Sequence, residues 1–306
     1  MSTMDWDDLK IFVALAHSGS VRAAAVRLGI HHSTVARRLD HFEKRLGAVM
    51  FNRTPDGLKL SADGQLVLLQ AEQVEGQIDD IERILVGRDQ RLEGHVRITF
   101  PEPVGTSFLM HDLGKFLDAY PGISLDYIGS YEALSLTRGE ADIAVRATDA
   151  PPEHLVGRRL GHYAVAVYAS NEYLTRHDPH SHPESCNWID WGLGRSVSEK
   201  ARLQAFPEVP SRTRSSNAPL QLAAVESGVG LATLPCALGD PHPALKRLSD
   251  PIIAQEIWVL THPDLRNAAR VRAVMGCITD SFNRNEDLLL GRTTWRDAQA
   301  LRLKRA

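Results

Sequence analysis

The sequence is poor in cysteine and has no long apolar run. Its 306 residues include three cysteines, Cys186, Cys236 and Cys277, whose number and spacing fit neither a disulfide framework nor a zinc or redox motif. No stretch approaches the roughly 18–20 uninterrupted apolar residues that a membrane helix needs. The acidic, polar opening MSTMDWDDLK lacks the basic flank and apolar segment of a secretory signal. We therefore expect a cytoplasmic protein with reduced thiols and no membrane partner.

Enzyme motifs are missing as well. The sequence contains no G-x-S-x-G, no P-loop and no G-x-G-x-x-G, and Gly228-Val229-Gly230 precedes a predicted strand where a nucleotide-binding motif would follow one. None of the 13 histidines is tied by its spacing to a nucleophile. We predict that the protein is not an enzyme and has neither a cofactor nor a metal site.

The composition is that of an ordinary globular protein, with 43% hydrophobic and 24% charged residues. The length is about twice that of a typical domain, so two domains are expected. The net charge of −3 is unevenly distributed, because residues 1–60 hold nine Lys/Arg against six Asp/Glu and the remainder holds 26 against 32. A basic first domain on an acidic body points to a polyanionic partner at one end of the chain.

The sequence pattern of the first 60 residues predicts three helices and a hairpin. Apolar residues at helical spacing predict helices over about 5–17, over 21–28 and from His32 onward. Ser20 is placed to cap the second helix, and the turn at Asp56-Gly57 is typical of a β-hairpin. This order of elements predicts a winged helix-turn-helix.

A long fourth helix is predicted from Ser61 to about Arg88. Its apolar residues repeat at spacings of 4 and 3, the a/d pattern of a coiled coil. These residues are Val67, Ala71, Val74, Ile78, Ile81 and Leu85. A helix packed on its own domain is the alternative, but the stripe is narrow and its surroundings are polar. We favour a dimerisation helix over 61–90, with Val67, Val74, Ile78, Ile81 and Leu85 at the seam.

From residue 95 onward strands and helices alternate. Strands are predicted over 95–100, 123–128, 141–146, 164–169, 229–234 and 257–262, and helices over 104–119, 131–138, 219–227 and 266–282. The rhythm predicts an α/β body with a parallel or mixed sheet over 91–284. The sequence pattern does not predict where the tail over 285–306 packs.

Several short motifs, in a fixed order, carry a family resemblance. They are F-x-R at Phe51–Arg53, L-S/T-x-x-G at Leu60–Gly64, F-x-x-x-Y-P at Phe116–Pro121, G-E-x-D-I-A at Gly139–Ala144, and Gly228-Val229-Gly230 followed by Leu234-Pro235. Through these motifs residues 5–284 resemble the LysR-type transcriptional regulators. The resemblance implies an effector domain of two α/β lobes, shaped like a type II periplasmic binding protein. It also implies a regulator that responds to a small-molecule effector and binds an interrupted palindrome in double-stranded DNA as a homodimer or homotetramer.

The third helix is the predicted DNA reader. Because Val35, Leu39 and Phe42 form its inner face, the other side of its N-terminal half faces the major groove; the residues there are His32, Ser33, Thr34, Ala36 and Arg37. Arg37 can bond bidentately to O6 and N7 of guanine. His32 and Ala36 replace the Gln and Ser usual in the family, so the family's contacts are not carried over at those positions.

Phosphate contacts are expected from Ser20 and Arg22 at the second helix and from Arg53 in the wing. Arg38 and Lys44 either join them or are solvated. A pair of neighbouring histidines, His31 and His32, cannot chelate one metal ion, since adjacent helical residues point about 100° apart.

Effector contacts are expected where strands end at their carboxyl side. The resemblance places them at Thr106 and Ser107, at Ser130 and at Arg146, and a donor cluster at Ser215, Ser216 and Asn217 precedes a helix of the second lobe. Arg146 is the best candidate for a carboxylate or phosphate group, with an internal ion pair as the alternative. Glu102 at the cleft mouth disfavours a simple acid.

Three other interpretations stay open. The chain is compatible with a solute-binding module that does not bind DNA, and with a redox-responsive regulator that uses Cys186, although no cysteine partner is near it in sequence. The stretch that contains His177, His180, His182 and Cys186 is either a metal site or, as we favour, a solvated loop.

Overall fold

A computed structural model describes residues 5–55, 57–130, 136–137, 139–192 and 197–293. The chain divides into two compact units, Met1–Arg83 and Ile84–Ala306. No helix in the described ranges combines the length and the apolar character needed to span a bilayer.

Three short helices and a hairpin precede a long helix in the first unit. In chain order the elements are α1 (Trp6–Ser18), α2 (Val21–Leu28), α3 (His32–Leu46), β1 (Phe51–Thr54), β2 (Gly57–Leu60) and α4 (Ala62–Gly87). The three short helices end at Gly19, Gly29 and Gly47, all at positive φ, which glycine adopts without strain. The predicted winged helix-turn-helix is confirmed.

An aromatic cluster forms the core of the first unit. The ring of Phe12 lies 5.7 Å from that of Phe42 and 5.5 Å from that of Phe51, and all three side chains are buried. Val35 and Leu39 of α3 are buried with them. Burial of each such side chain contributes about 1.5–3 kcal/mol, so the cluster fixes which side of α3 faces outward.

Two contacts hold the hairpin against the helices. On one side, Glu43 Oε1 of α3 accepts a hydrogen bond from the Met50 N–H at 2.7 Å. On the other, the Leu58 N–H donates to the Gly19 carbonyl at 2.8 Å. Gly57 approaches that carbonyl so closely that a Cβ would lie 2.7 Å from its oxygen. The wing therefore has a defined position relative to α3.

The second unit contains an α/β body. Its strands are β3 (Gly94–Phe100), β4 (Ile123–Gly129), β5 (Ile143–Ala147), β6 (Val156–Ser170), β7 (Trp188–Trp191), β8 (Ser211–Ser215), β9 (Ala232–Pro235), β10 (Leu245–Arg247) and β11 (Ile252–Thr261). Its helices are α5 (Glu102–Val104), α6 (Met110–Ala119), α7 (Asn171–Arg176), α8 (Val197–Ala205), α9 (Ala218–Glu226), α10 (Cys236–Gly239), α11 (Ala269–Arg284) and α12 (Glu286–Leu289).

Seven strands form one mixed sheet in the order β10-β6-β11-β5-β3-β4, with β9 also paired to β6. Strand β3 pairs in parallel with β4 and β5, whereas β6 and β11 pair antiparallel with their neighbours. Strand β6 has 15 residues and β11 has 10, so both pass from the parallel part of the sheet to the part around β9. The expected mixed sheet with two lobes is confirmed.

Several predicted elements of this unit have different bounds in the structure, and the strands predicted over 164–169 and 257–262 are the longer β6 and β11. The helix predicted over 104–119 is α5, a π-type turn over Gly105–Leu109 and then α6. Gly105 at the start of this turn lies against the Phe100 ring, where a Cβ would be 2.6 Å from it. The strand predicted over 229–234 begins at Ala232. The last core helix begins at Ala269, after a 3-10 turn that starts at Pro263. The helix predicted over 131–138 lies largely outside the described residues.

The part of the tail that the structure describes belongs to the core of the second unit. Leu288, Leu289 and Leu290 are buried, and the Gly291 carbonyl accepts a hydrogen bond from Arg247 Nη1 at 2.8 Å. Residues 294–306 lie outside the described ranges.

Candidate DNA interface and effector cavity

The outward side of α3 carries the side chains predicted to read DNA. Val35 and Leu39 are buried, whereas His32, Ser33 and Arg37 are exposed. Thr34 and Ala36 flank them and are half-buried. The period of 3.6 residues per turn thus presents three polar side chains to solvent on one side of the helix. The predicted set is brought together on one surface.

The N-terminus of α3 is capped by a residue that sequence reasoning did not use. His31 Nδ1 lies 3.4 Å from the Ser33 N–H and 2.8 Å from Ser33 Oγ, so the imidazole takes the place of the usual Ser, Thr, Asp or Asn cap. The rings of His31 and His32 are 4.2 Å apart. Ser33 is therefore held in place before any contact with DNA, and only its remaining hydrogen-bonding capacity is open to DNA.

The arginines of the first unit fall into two groups. Arg38 Nη1 lies 3.3 Å from Asp7 Oδ2 and 3.4 Å from Asp8 Oδ1, and Arg45 also pairs with Asp8. Arg38 therefore joins α3 to α1 through ion pairs, a role that differs from both alternatives considered for it. Asp8 is buried, so its carboxylate needs both guanidinium groups as partners.

Arg22, Arg37 and Arg53 form the other group. All three are exposed, and none forms an ion pair with another residue that the structure describes. Arg22 lies in the first turn of α2, which Ser20 caps by accepting a hydrogen bond from the Ala23 N–H at 3.2 Å. Arg53 lies on β1. Exposed Arg27 on α2 likewise has no described ion-pair partner, and exposed positive charges without such partners suit an anionic ligand.

The predicted seam on α4 has two parts with different surroundings. Ala71 is buried and Val67 is partly buried against the core of the first unit, so Val67 has less surface left for a partner chain than the later residues of the stripe. Further along the same stripe, Ile81 is 60% exposed and Leu85 is 67% exposed. Val74 is exposed and Ile78 half-buried. The stripe that begins as core continues as an apolar surface.

Exposed apolar residues on α4 also include three that the heptad pattern did not single out, Leu66, Leu69 and Ile84. A soluble helix surface seldom displays this many large aliphatic side chains without a partner. Their exposure was not visible from the heptad pattern alone, since it depends on which side of the helix the first unit covers.

A cavity of about 620 Å³ lies in the second unit, between elements of both lobes. Its walls are mostly apolar and include Phe108, Tyr163, Trp191, Ile257 and Leu289. The polar side chains at the wall are few and partly engaged. Gln221 Nε2, for example, donates to the Ile189 carbonyl at 3.0 Å. Such a cavity suits a small, largely apolar molecule.

Arg146 is the one charged side chain among the described residues that line this cavity. It lies on β5, where Nη2 donates to Thr99 Oγ1 at 3.0 Å and Nη1 to the Ser130 carbonyl at 3.2 Å. No described carboxylate pairs with it. Partial burial lowers the pKa of the guanidinium from its ordinary value because low-polarity surroundings disfavour its charge. An anion in the cavity would compensate that charge, and Ser130, as predicted, lines the same wall.

The other predicted effector residues lie elsewhere. Thr106 Oγ1 donates to the Glu102 carbonyl at 3.0 Å and Ser107 Oγ to the Pro103 carbonyl at 2.6 Å. Both line a second, smaller cavity and not the first. The π-type turn rotates them away from the first cavity, which Val104 and Phe108 face instead. Glu102, expected at the mouth, is not among the described residues that line the first cavity.

Ser215, Ser216 and Asn217 do not line the first cavity either. Asn217 Oδ1 accepts a hydrogen bond from the Leu220 N–H at 3.1 Å and so caps α9, and Ser215 Oγ donates to the Asn217 carbonyl at 2.9 Å. Ser216 is exposed. These side chains fix the start of α9, whose Ala218 and Gln221 do reach the cavity.

The histidine-rich stretch does not gather into a metal site. His177 stacks on Tyr173 at 4.3 Å and His180 lies 4.9 Å from the Phe206 ring. The described parts of the chain contain no cluster of three or more His, Cys, Asp or Glu that could hold a metal ion. Each of these imidazoles packs against an aromatic ring, and these contacts do not bring the imidazoles together around one ion.

The cysteines do not support a redox switch. Cys186 and Cys236 are buried, and all three thiols are unpaired. Burial raises the pKa of the Cys236 and Cys277 thiols to about 11 and also raises that of Cys186. Because the thiolate is the reactive form, these groups are poor nucleophiles.

Two family models match the chain. Residues 6–65 match the bacterial regulatory helix-turn-helix protein, lysR family, and residues 89–283 match the LysR substrate binding domain. The two matches cover the unit that carries α3 and the unit that carries the first cavity.

Curated relatives and solved structures agree with these matches. An HTH-type transcriptional regulator of Xanthomonas campestris is 34% identical over 75% of this chain and 70% of its own length. The Mau operon transcriptional activator of Paracoccus denitrificans is 28% identical over 91% of this chain and 97% of its own. The fold is similar to that of the full-length Vibrio cholerae virulence activator AphB, with a TM-score of 0.62 at 19% identity over 90% of this chain and 99% of AphB.

Proposed function

The chain belongs to the LysR family of transcriptional regulators, with a helix-turn-helix domain and an effector-binding domain, and on this premise we propose how its two units act. Helix α3 enters the major groove of double-stranded DNA, and the second unit binds a small-molecule effector that changes the regulator's activity. Because it acts on DNA, we infer that the protein works in the cytoplasm, by binding and not by catalysis.

One observation carries the DNA-binding part of the proposal. Arg37 is exposed on the side of α3 opposite Val35 and Leu39, with no described ion-pair partner. A guanidinium in this position matches the O6 and N7 acceptors of guanine. His32, Ser33, Thr34 and Ala36 surround it and complete the base-reading surface, while Ser20, Arg22 and Arg53 contact phosphates and set the register.

The exposed stripe of α4 supports a homodimer as the DNA-binding unit. We place the seam at Val74, Ile78, Ile81 and Leu85, joined by Ile84 and without Val67. Two reading helices in one dimer require two half-sites about one helical turn of DNA, or a multiple of it, apart. An interrupted palindrome is the DNA sequence that matches this symmetry, and two dimers on neighbouring sites make a homotetramer.

The cavity around Arg146 is the proposed effector site. Its apolar walls and its one described charged side chain favour an apolar molecule with one anionic group, a carboxylate above all, which the guanidinium binds in a planar, two-point contact. Ser130 lies next to Arg146 at the wall. The alternative roles are less well supported, since a solute-binding module has no use for the helix-turn-helix and a redox sensor would need a reactive thiol.

Selection of binding sites from random-sequence DNA tests the DNA part. The full-length protein is expected to enrich sequences with two symmetric half-sites, and its affinity for them is expected to fall steeply with salt, as phosphate contacts require. Enrichment of no sequence, or of a single half-site without symmetry, would contradict the proposed dimeric regulator.

A further inference from the structure

A second cavity in the effector domain has the opposite charge to the first. It has a volume of about 300 Å³ and is lined by Thr106, Ser107, Pro219, Leu222, Ala223, Glu226, Ala237, Leu238, Pro241, His242 and Leu288. The charged or titratable side chains among these are Glu226 and His242. His242 Nε2 lies 3.6 Å from Glu226 Oε1, and the Glu226 side chain is half exposed.

The hydroxyl oxygens at this wall are acceptors. Thr106 and Ser107 donate their hydroxyl hydrogens to backbone carbonyls, so each hydroxyl oxygen presents its lone pairs only. His242 Nδ1 is enclosed by protein and has no partner in the described structure, and Nε2 lies beside Glu226. The described wall offers no lysine or arginine. A ligand that matches it brings donors and a positive charge.

We propose that this second cavity binds a small organic cation, a primary ammonium on a compact apolar group. The ammonium donates to Glu226 and to the hydroxyl oxygens of Thr106 and Ser107, while Leu222, Leu238 and Leu288 contact the apolar part. This site does not depend on the role proposed for the first cavity. The two are separated by their charge, since Arg146 in the first repels the cation that Glu226 in the second attracts.

The two cavities share structural elements. Helix α9 presents Ala218 and Gln221 to the first cavity and Glu226 to the second, and Ala237 lines both. Leu289 of α12 faces the first cavity and Leu288 the second. A ligand that immobilises these elements in one cavity also affects the wall of the other cavity. We therefore expect that occupancy of either cavity alters the affinity of the other cavity for its ligand.

Titration calorimetry of the full-length protein with benzylammonium tests the site. Benzyl alcohol is the neutral analogue of nearly the same shape. We expect benzylammonium to bind at least about tenfold more tightly than benzyl alcohol, which corresponds to one charge-assisted hydrogen bond in place of a neutral one. Equal affinities of the protein for the two compounds would overturn the proposal, as would no binding of benzylammonium at millimolar concentration.

Two variants locate the binding. Glu226→Gln removes the charge but keeps the shape, and Ala223→Leu fills the cavity from an exposed position of α9, so neither is expected to disturb the core. Both should weaken benzylammonium binding about fivefold or more, while the matched control Glu208→Gln, exposed and outside both cavities, leaves it unchanged. Binding that survives both cavity variants lies elsewhere and refutes the assignment.

Discussion

Arg37 and Arg146 are the same chemical group in opposite surroundings. Arg37 is exposed on α3, whereas Arg146 lines a cavity where Thr99 and the Ser130 carbonyl hold it and burial lowers its pKa. Neither has a described carboxylate partner. One guanidinium is thus open to a surface as large as DNA, and the other is open only to what fits within about 620 Å³.

The difference between the two surroundings has energetic consequences. At physiological ionic strength, salt limits the interaction of an exposed charge with other charges to a range of about 8 Å. Contacts of Arg37 with DNA therefore weaken as the salt concentration rises. A charge inside a cavity is screened much less, and its partner is selected by size as well as by charge. The first unit is therefore suited to a polyanion with many phosphates and the second to one small anion.

The largest expected effect concerns the dimer that gives the first unit two reading helices. Replacement of Ile81 and Leu85 together by Asp places like charges against each other in the seam, which costs far more than the lost apolar contact. We expect the double variant to be smaller in size-exclusion chromatography and to lose specific DNA affinity by at least about 100-fold, since one half-site contact of roughly 3 kcal/mol or more disappears. Thermal unfolding should show that its domains remain folded.

Gln65→Asp is the control for this experiment, because Gln65 is exposed on the same helix but is not part of the apolar stripe. It should leave both oligomeric state and DNA affinity unchanged. If the Ile81 and Leu85 double variant kept its oligomeric state and bound DNA normally, α4 would not be the dimerisation element.

The two parts of α4 show what the heptad pattern was able to predict. The spacing correctly identified one long helix with one apolar stripe, because helical periodicity is a local property. It did not reveal that Val67 and Ala71 pack on the core of the first unit while Ile81 and Leu85 are exposed. That difference depends on contacts with α1 and with the hairpin, which are distant in sequence.

The two ligand-binding regions differ in the same way. The outward side of α3 was predictable, since Val35, Leu39 and Phe42 define its inner side and the helical repeat determines which residues lie opposite them. In the effector domain, Ser130 follows β4 and Arg146 lies near the end of β5, and both line the cavity. Thr106 and Ser107 do not, because the π-type turn changes the direction of their side chains. Leu289 could not be found, since four residues of α12 are too few for a periodic signal.

The next prediction addresses the buried guanidinium. Arg146→Met keeps the aliphatic stem but removes the charge, and we expect it to weaken binding of a small apolar carboxylate such as benzoate by about 1.5–3 kcal/mol, the value of a hydrogen bond to a charged group. The affinity of the wild type for benzoate should change little between low and high salt. Thermal shift and calorimetry measure both effects.

Arg158→Met is the matched control, since Arg158 is exposed on β6 and does not line the cavity. DNA affinity without ligand should stay near the wild-type value in both variants. A ligand acts on DNA binding only through its different affinities for two states of the protein, and loss of the ligand's anchor has no such effect when the ligand is absent. Unfolding or aggregation of Arg146→Met, with Arg158→Met unaffected, would make Arg146 a structural residue.

The exposed guanidinium of α3 should have an effect of similar size but with a different signature. Arg37→Ala is expected to lose about 1–3 kcal/mol on the selected site, the value of a bidentate contact with guanine. It should also relax base preference at one position of each half-site. Fluorescence anisotropy on single-base variants of the site measures both, and Lys10→Ala, exposed on α1, is the control. An unchanged preference at every position would remove Arg37 from the set of base-reading residues.

The smallest expected effect distinguishes, within the first unit, a residue that contacts bases from a residue that contacts phosphates. Arg53 is exposed on β1 with no described ion-pair partner, and a phosphate contact from the wing carries no sequence information. Arg53→Ala should therefore weaken all DNA sequences about equally, by roughly 0.5–1 kcal/mol, and lower the slope of log affinity against log salt by about 0.9, the value for one phosphate contact. Arg53→Lys keeps the charge and should keep the slope. If Arg53→Ala and Arg37→Ala lost affinity with the same sequence dependence, the division of the first unit into a reading helix and a positioning wing would be wrong, and Arg53 would contact bases as Arg37 does.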